Sequence, residues 1–130
     1  METSVVMQAV AALGVYAGLA GAAGVALAAA GAHGEGYAAL TPAAQFLLMH
    51  AAAALALAAL APRASHPCGF LLAALILLVG VSLFSGDIAA RTLWGHRLFP
   101  MAAPIGGSTM IVGWLVLSAA GIWEVFAHRG

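Results

Sequence analysis

Apolar residues dominate four stretches of the chain, and polar residues collect in the three gaps between them. The apolar stretches cover residues 5–30, 43–61, 70–88 and 105–125. An α-helix rises about 1.5 Å per residue, so roughly 20 apolar residues cross a hydrocarbon core about 30 Å thick. The stretches lack the alternation of a membrane-spanning strand. The pattern therefore predicts an all-α integral membrane protein with four spans.

The gaps are short and leave no room for a domain outside the membrane. We expect residues 1–130 to form one transmembrane domain, a four-helix bundle with short loops and both termini on the same side. The third gap, residues 91–104, is the longest and mixes aromatic with basic residues, which predicts a segment lying in the membrane interface. Residues 1–4 contain no Lys or Arg, so we expect the first stretch to be a retained span and not a cleaved signal peptide.

The composition and charge of the chain limit the environment and the partners that the protein can have. Hydrophobic residues make up 65% of the chain and charged residues 6%, whereas about a quarter of the residues in a soluble domain are charged. The formal net charge is zero, so the sequence predicts no nucleic-acid partner. The arginines are divided evenly between the two sides, and His66 and His128 then favour cytoplasmic termini in a bacterial inner membrane.

Small residues on the first helix predict close packing. Gly14 and Gly18 form a small-xxx-small pair, and Gly21 continues the same face. Helices in lipid associate through such close contacts, because the hydrophobic effect does not drive association where the side chains are already out of water. The motif predicts a tight contact, either with another helix of this chain or between copies in a homo-oligomer.

Five short motifs resemble those of a known family. In chain order they are Gly31-Ala32-His33-Gly34, Gln45 with His50, Leu83-Phe84-Ser85-Gly86, Ala103-Pro104-Ile105-Gly106-Gly107 and Gly113-Trp114. The chain is similar to the YgdD-like small membrane proteins, the family that carries domain of unknown function 423 and includes a eukaryotic protein, transmembrane protein 256. The resemblance implies four spans and cytoplasmic termini. It implies no activity, substrate or catalytic residue.

Several polar residues stand out against the apolar background. His50 lies roughly 12 Å inside the second span, where a titratable group needs a hydrogen-bonding partner or a wet cavity. Asp87 precedes Arg91 by four residues, the spacing of a helical ion pair. Gly106 and Gly107 open the fourth span, where they allow either a close helix contact or an anion at the helix N-terminus.

Helices that run back and forth bring these residues to one half of the bundle, beside the first and third gaps. A cluster confined to one half favours a pocket over a pore. The candidate ligand-binding residues are His33, Glu35, Gln45, His50, Ser85, Asp87, Arg91, Gly106 and Gly107. The candidates for a metal site are His33, His50 and His96.

Three functions fit the pattern. The first is an accessory or scaffold protein whose polar half stabilises the helices or docks a membrane-protein partner. The second is a binding or transport protein for a small polar or anionic ligand. The third is a metal or redox site built from the histidines, of which haem is the least supported form. The sequence contains no nucleophile elbow, zinc signature or phosphate loop, so we expect no enzyme and no cofactor.

Overall fold

Four long helices make up the fold. The computed structural model describes residues 2–129, and within them it contains no strand. The helices are α1 (Thr3–His33), α2 (Leu40–Leu60), α3 (Pro67–Trp94) and α4 (Ala102–Ala127). All four are long and apolar enough to cross a membrane. The all-α prediction is confirmed, and the helices indicate an integral membrane protein.

The helices extend beyond the apolar stretches that predicted them, most of all in α3. Residues 89–94 continue the helix until Gly95, whose φ of 77° is left-handed and ends it. Only residues 95–101 are left as the α3–α4 loop. The third gap is therefore shorter than the predicted residues 91–104, because residues 91–94 and 102–104 belong to helices. Its position in the membrane interface stays a prediction.

Consecutive helices run antiparallel and pack in chain order. Gly24 of α1 faces Leu48 of α2, and Gly69 of α3 faces Ala120 near the end of α4. α1 also contacts α3, but in residues 2–129 no Cα of α4 comes within 8 Å of a Cα of α1 or α2. The arrangement is therefore more open than the predicted bundle, because the backbone of α4 packs closely against α3 alone.

The centre of the structure is formed by α2 and α3. In their most apolar stretches 44% of the residues are buried, against 22% in α1 and 11% in α4. Alanine and leucine fill the core, for example Ala54, Ala74 and Leu77, which are fully buried. Small side chains let helices approach closely, which stabilises packing in lipid. Most of the surface of α1 and α4 is left to contact lipid or other proteins.

α3 and α4 approach each other closely at two glycines. A Cβ atom on Gly106 would lie 2.5 Å from the Phe84 nitrogen and 2.6 Å from the Gly80 oxygen. A Cβ atom on Gly80 would lie 2.8 Å from the Met110 nitrogen. Because these neighbours are backbone atoms, they cannot move aside as the end of a side chain can. Gly106 thus has the first of the two roles expected of it, a helix contact that leaves no room for a side chain.

The glycine face of α1, formed by Gly14, Gly18 and Gly21, makes no such contact. A Cβ atom on any of the three would meet nothing within 4 Å. The expectation of a tight contact with another helix of this chain is wrong, because α1 packs through a different face that carries Leu13 and Ala17. A contact between copies stays a prediction.

Replacing Gly106 by alanine tests the crossing of α3 and α4. We expect Gly106→Ala to lower the free energy of unfolding by roughly 1–3 kcal/mol, because the added methyl group overlaps the backbone of α3. Gly121→Ala, in the same helix, is the matched control, since nothing lies within 4 Å of its Cβ position. Unfolding in detergent micelles, followed by circular dichroism, measures both. If the two substitutions changed the free energy of unfolding equally, the close contact of Gly106 with the backbone of α3 would be contradicted.

Candidate functional site

His50 lies inside the protein on α2, in contact with α4. The residue is 5% exposed. Its Nδ1 lies 2.8 Å from the Phe46 carbonyl oxygen, and Trp114 Nε1 donates to its Nε2 at 3.2 Å. A carbonyl oxygen only accepts and an indole N–H only donates, so the proton of the neutral ring is on Nδ1. Both nitrogens are occupied, which leaves none for a metal or ligand.

Hydroxyl groups connect α3 to α1 and α2. Ser82 Oγ donates to the Leu78 carbonyl at 2.7 Å, and the Tyr16 hydroxyl lies 2.8 Å from Ser82 Oγ. Ser85 Oγ donates to the Ala43 carbonyl of α2 at 2.8 Å. These bonds use the hydroxyls for helix packing. Sequence reasoning missed Tyr16, because a single tyrosine in an apolar run carries no spacing signal that identifies its partner.

Asp87 holds the α3–α4 loop against α3. Its carboxylate is 1% exposed, and Oδ2 lies 3.4 Å from Arg91 Nε, which confirms the predicted ion pair. Oδ1 accepts a hydrogen bond from the Leu98 backbone N–H at 3.0 Å. Arg91 is 41% exposed, so water screens the ion pair. The bond to Leu98 is the contact that joins two separate segments.

Glu124 has a similar role at the opposite end of the molecule. Its carboxylate accepts hydrogen bonds from the backbone N–H groups of His66 at 2.8 Å and Ser65 at 3.0 Å. These amides lie at the N-terminus of α3, where N–H groups lack helical partners and favour a negative charge. The distance from Glu124 Oε2 to His128 Nδ1, one helical turn further on, is longer at 3.7 Å. Glu124 therefore mainly holds the α2–α3 turn beside the end of α4.

The remaining candidates lie apart from these contacts. His33, Glu35, Gln45 and His96 are exposed. In residues 2–129 no three His, Cys, Asp or Glu side chains are placed so that they could hold a metal ion. The structure does not bring the three candidate histidines together, because His50 is enclosed between α2 and α4 while the other two lie at helix or loop ends. The nine candidate residues do not form a single cluster.

A cleft of about 370 Å³ beside the α3–α4 loop brings three of the candidates together. Asp87, Arg91 and Gly107 line it, and so does Arg97, which was not among the candidate residues. Two arginines in one cleft could attract an anion. Asp87 lies within the same cleft, however, and its ion pair compensates the charge of Arg91.

The first turn of α4, next to this cleft, has few free amides. The N–H groups of Ala102 and Ile105 already donate to loop carbonyls, and Pro104 has no N–H. Gly106 and Gly107 lie beyond the first four residues of α4, where amides bond within the helix. A helix N-terminus normally binds anions through free amides. The ligand role of both glycines stays a prediction, with weaker support than the sequence indicated.

Most of the chain matches one family model. The model is described as "Protein of unknown function (DUF423)" and matches residues 20–107. The chain belongs to the DUF423 family. The predicted resemblance is confirmed, and the DUF423 match contains His50, Asp87 and Gly106, whereas Trp114 and Glu124 follow it. No solved structure matches the chain.

The hydrogen bond between His50 and Trp114 can be measured with a double-mutant cycle. We expect His50→Leu and Trp114→Phe each to destabilise the protein, and the double variant to lose less than the sum. Coupling energies of interhelical hydrogen bonds in a membrane protein average about 0.6 kcal/mol and reach about 1.7 kcal/mol. Chemical unfolding in mixed micelles measures the coupling.

The control pairs His50→Leu with Trp123→Phe. Trp123 packs edge-on against His66 with ring centroids 5.6 Å apart, at the opposite end of the helices. We expect this cycle to be additive. Additivity in the cycle of His50 and Trp114 would show that their contact does not stabilise the fold.

Proposed function

We propose that this DUF423 protein is an accessory or scaffold protein of the membrane that docks other membrane proteins. The main support is how the buried polar groups are used. In residues 2–129 every buried side-chain nitrogen or oxygen has a hydrogen-bond partner within the protein. Buried polar atoms that are satisfied internally stabilise a structure. They hold helices and loops in place, and none is left pointing towards a substrate.

The exposed surfaces of α1 and α4 support the same proposal. Ile111 and Leu115 of α4 are each 64% exposed. In a membrane such side chains contact lipid or another helix. The glycine face of α1 offers a surface on which a second backbone can approach closely. We propose that this face binds a second copy of the chain.

A binding or transport protein for a small polar or anionic ligand is the second candidate. The cleft lined by Arg91 and Arg97 is the observation that favours it. Asp87 compensates the charge of one of these arginines, and few backbone amides at the start of α4 are free. We therefore place the ligand-binding function below the scaffold role. A metal or redox site comes last, since the candidate histidines lie apart.

We also propose that the protein resides in a bacterial inner membrane with both termini in the cytoplasm. Glu124 holds the α2–α3 turn beside the end of α4. His66 and His128 therefore lie on the same side of the protein as the two termini, where they add to the basic charge of the arginines on that side. Cytoplasmic loops carry the excess of basic residues in membrane proteins. The family resemblance implies the same orientation.

Cys68 gives a direct test of this orientation. It is the only cysteine in the chain, it is exposed, and it lies in the first turn of α3. With cytoplasmic termini, we expect a membrane-impermeant maleimide to label it in inverted membrane vesicles and not in spheroplasts. Glu35→Cys combined with Cys68→Ser, at the other end of the helices, should show the reverse. Labelling of Cys68 in spheroplasts alone would invert the proposed topology.

Bulky side chains on the glycine face test the contact between copies. Gly14→Leu combined with Gly18→Leu should lower energy transfer between donor-labelled and acceptor-labelled copies in vesicles, because the leucines keep the two backbones apart. Stability of the single chain should be unchanged, since nothing lies within 4 Å of either Cβ position. Ala52→Leu with Ala56→Leu, on an exposed face of α2, is the control. Equal transfer in the two double variants would contradict the proposed interface.

A further inference from the structure

The cleft beside the α3–α4 loop carries an excess of positive charge. Its charged lining residues are Asp87 and Arg91 of α3 and Arg97 of the loop. Asp87 pairs with Arg91, and no salt bridge within residues 2–129 includes Arg97. We call this space the arginine cleft. An anion that enters it meets one arginine whose charge is uncompensated.

Asp87 is engaged with the protein and needs no ligand of its own. The carboxylate is buried, and its Oδ1 accepts a hydrogen bond from the Leu98 backbone N–H at 3.0 Å. Because Leu98 directly follows Arg97, this bond fixes the backbone beside Arg97. The other oxygen faces Arg91. The carboxylate therefore keeps both arginines beside the same cleft.

Arg91 keeps its capacity to donate hydrogen bonds in spite of the ion pair. Its Nε lies 3.4 Å from Asp87 Oδ2, whereas a charge-assisted hydrogen bond of this kind is about 2.7–2.9 Å long. A guanidinium has several N–H donors, and the side chain of Arg91 is partly exposed. Asp87 thus compensates the charge of Arg91 without using up its donors.

Two guanidinium groups in one cleft suit a phosphate group. Each planar guanidinium can bind two oxygens of a phosphate or a carboxylate at once. A phosphate directs its oxygens to several sides, so a guanidinium from α3 and another from the loop can bind it together. The two oxygens of a carboxylate lie in one plane and match a single guanidinium. The pair of arginines therefore favours phosphate.

The rest of the lining adds few conditions on the ligand. Phe84, Ala103 and Pro104 are the apolar lining residues, and Pro104 has no N–H group. Gly107 adds no side chain. The volume of about 370 Å³ is in the range of clefts that hold small molecules. Recognition therefore depends on the charged group of the ligand.

The arginine cleft lies near the end of a spanning helix, at a level where phosphate groups occur. Arg91 is in the last turn of α3, and Trp94, the last residue of that helix, is 68% exposed. Tryptophan and arginine at helix ends are typical of the membrane interface. Phospholipid headgroups and phosphate dissolved in water both reach this level.

We propose that the arginine cleft binds a phosphate group through the guanidiniums of Arg91 and Arg97. The phosphate belongs to a phospholipid headgroup or to a molecule in solution, and the chemistry of the contact is the same. This proposal rests on the ligand-binding function that we placed second, and it names the class of the ligand.

Two substitutions test the site by different means. Arg97→Gln removes the uncompensated charge, and Arg129→Gln, exposed at the opposite end of the molecule, is its control. Gly107→Leu fills part of the cleft, and within 4 Å its Cβ atom would meet only Phe84, at 4.0 Å. Gly121→Leu, in the same helix, is the matched control, since nothing lies within 4 Å of that Cβ position.

Binding is measured separately for the two sources of phosphate. In the first arm, protein in a maltoside detergent, which contains no phosphate, is dialysed against radiolabelled inorganic phosphate. In the second arm, native mass spectrometry compares the retention of phosphatidylglycerol with that of diacylglycerol, which lacks the phosphate headgroup. Binding in the first arm supports the proposal with a dissolved ligand, and preference for phosphatidylglycerol in the second supports it with a lipid.

We expect Arg97→Gln to weaken phosphate binding by roughly tenfold, because it removes hydrogen bonds from a charged donor. Arg97→Lys keeps the charge but not the planar guanidinium, so its effect should be smaller. Gly107→Leu should weaken binding in the same arm, and both controls should bind as the wild type does. Equal binding by Arg97→Gln and Arg129→Gln, or by the two glycine variants, would overturn the proposal.

Radiolabelled acetate separates this proposal from the function on which it rests. If acetate binds with the same dependence on Arg97 while neither source of phosphate binds, the cleft is an anion site and its assignment to phosphate is wrong. If neither acetate nor phosphate binds, the assignment and the ligand-binding function both fail.

Discussion

The backbone contact between α3 and α4 at Gly80 and Gly106 positions much of the rest of the structure. In lipid the hydrophobic effect does not drive helices together, because their apolar side chains are already out of water. Dispersion contacts between two closely packed backbones therefore become a main source of stability. The crossing also sets the height and rotation of α4 along α3. That placement lets Trp114 reach His50 and lets Glu124 reach the amides that begin α3.

Some polar side chains in this protein join separate segments, while others, such as Thr92 and Thr109, bond to a carbonyl of their own helix. Asp87 connects α3 to the following loop, and Tyr16 connects α1 to α3. A hydrocarbon environment makes an unpaired polar group costly, so a few satisfied bonds restrict how the helices can be arranged. This use of the polar groups gives the protein a defined shape, which is the observation that supports the proposed scaffold role.

The shape that results gives α1 two different surfaces. Ala23 lines an apolar groove between α1 and α3. The glycine positions, such as Gly18, lie on roughly the opposite side of α1, because the helix turns about 100° per residue, and no other helix lies within 4 Å of their Cβ positions. The proposed contact between copies at these glycines would therefore leave the groove open.

Much of the fold could be predicted from the sequence, because span length and apolar composition are properties of the chain that need no partner. The ion pair of Asp87 and Arg91 and the family membership were accessible for the same reason, since both depend on local spacing. The glycine motif identified surfaces that permit close approach but did not identify which surface is used, and the structure uses Gly106 while it leaves Gly14 and Gly18 open. Trp114 as the partner of His50, Glu124 at the start of α3, and the separation of the candidate histidines were decided only by the tertiary structure. Helical periodicity places a residue on its own helix, whereas the rotation and height of one helix against another result from the packing of all four.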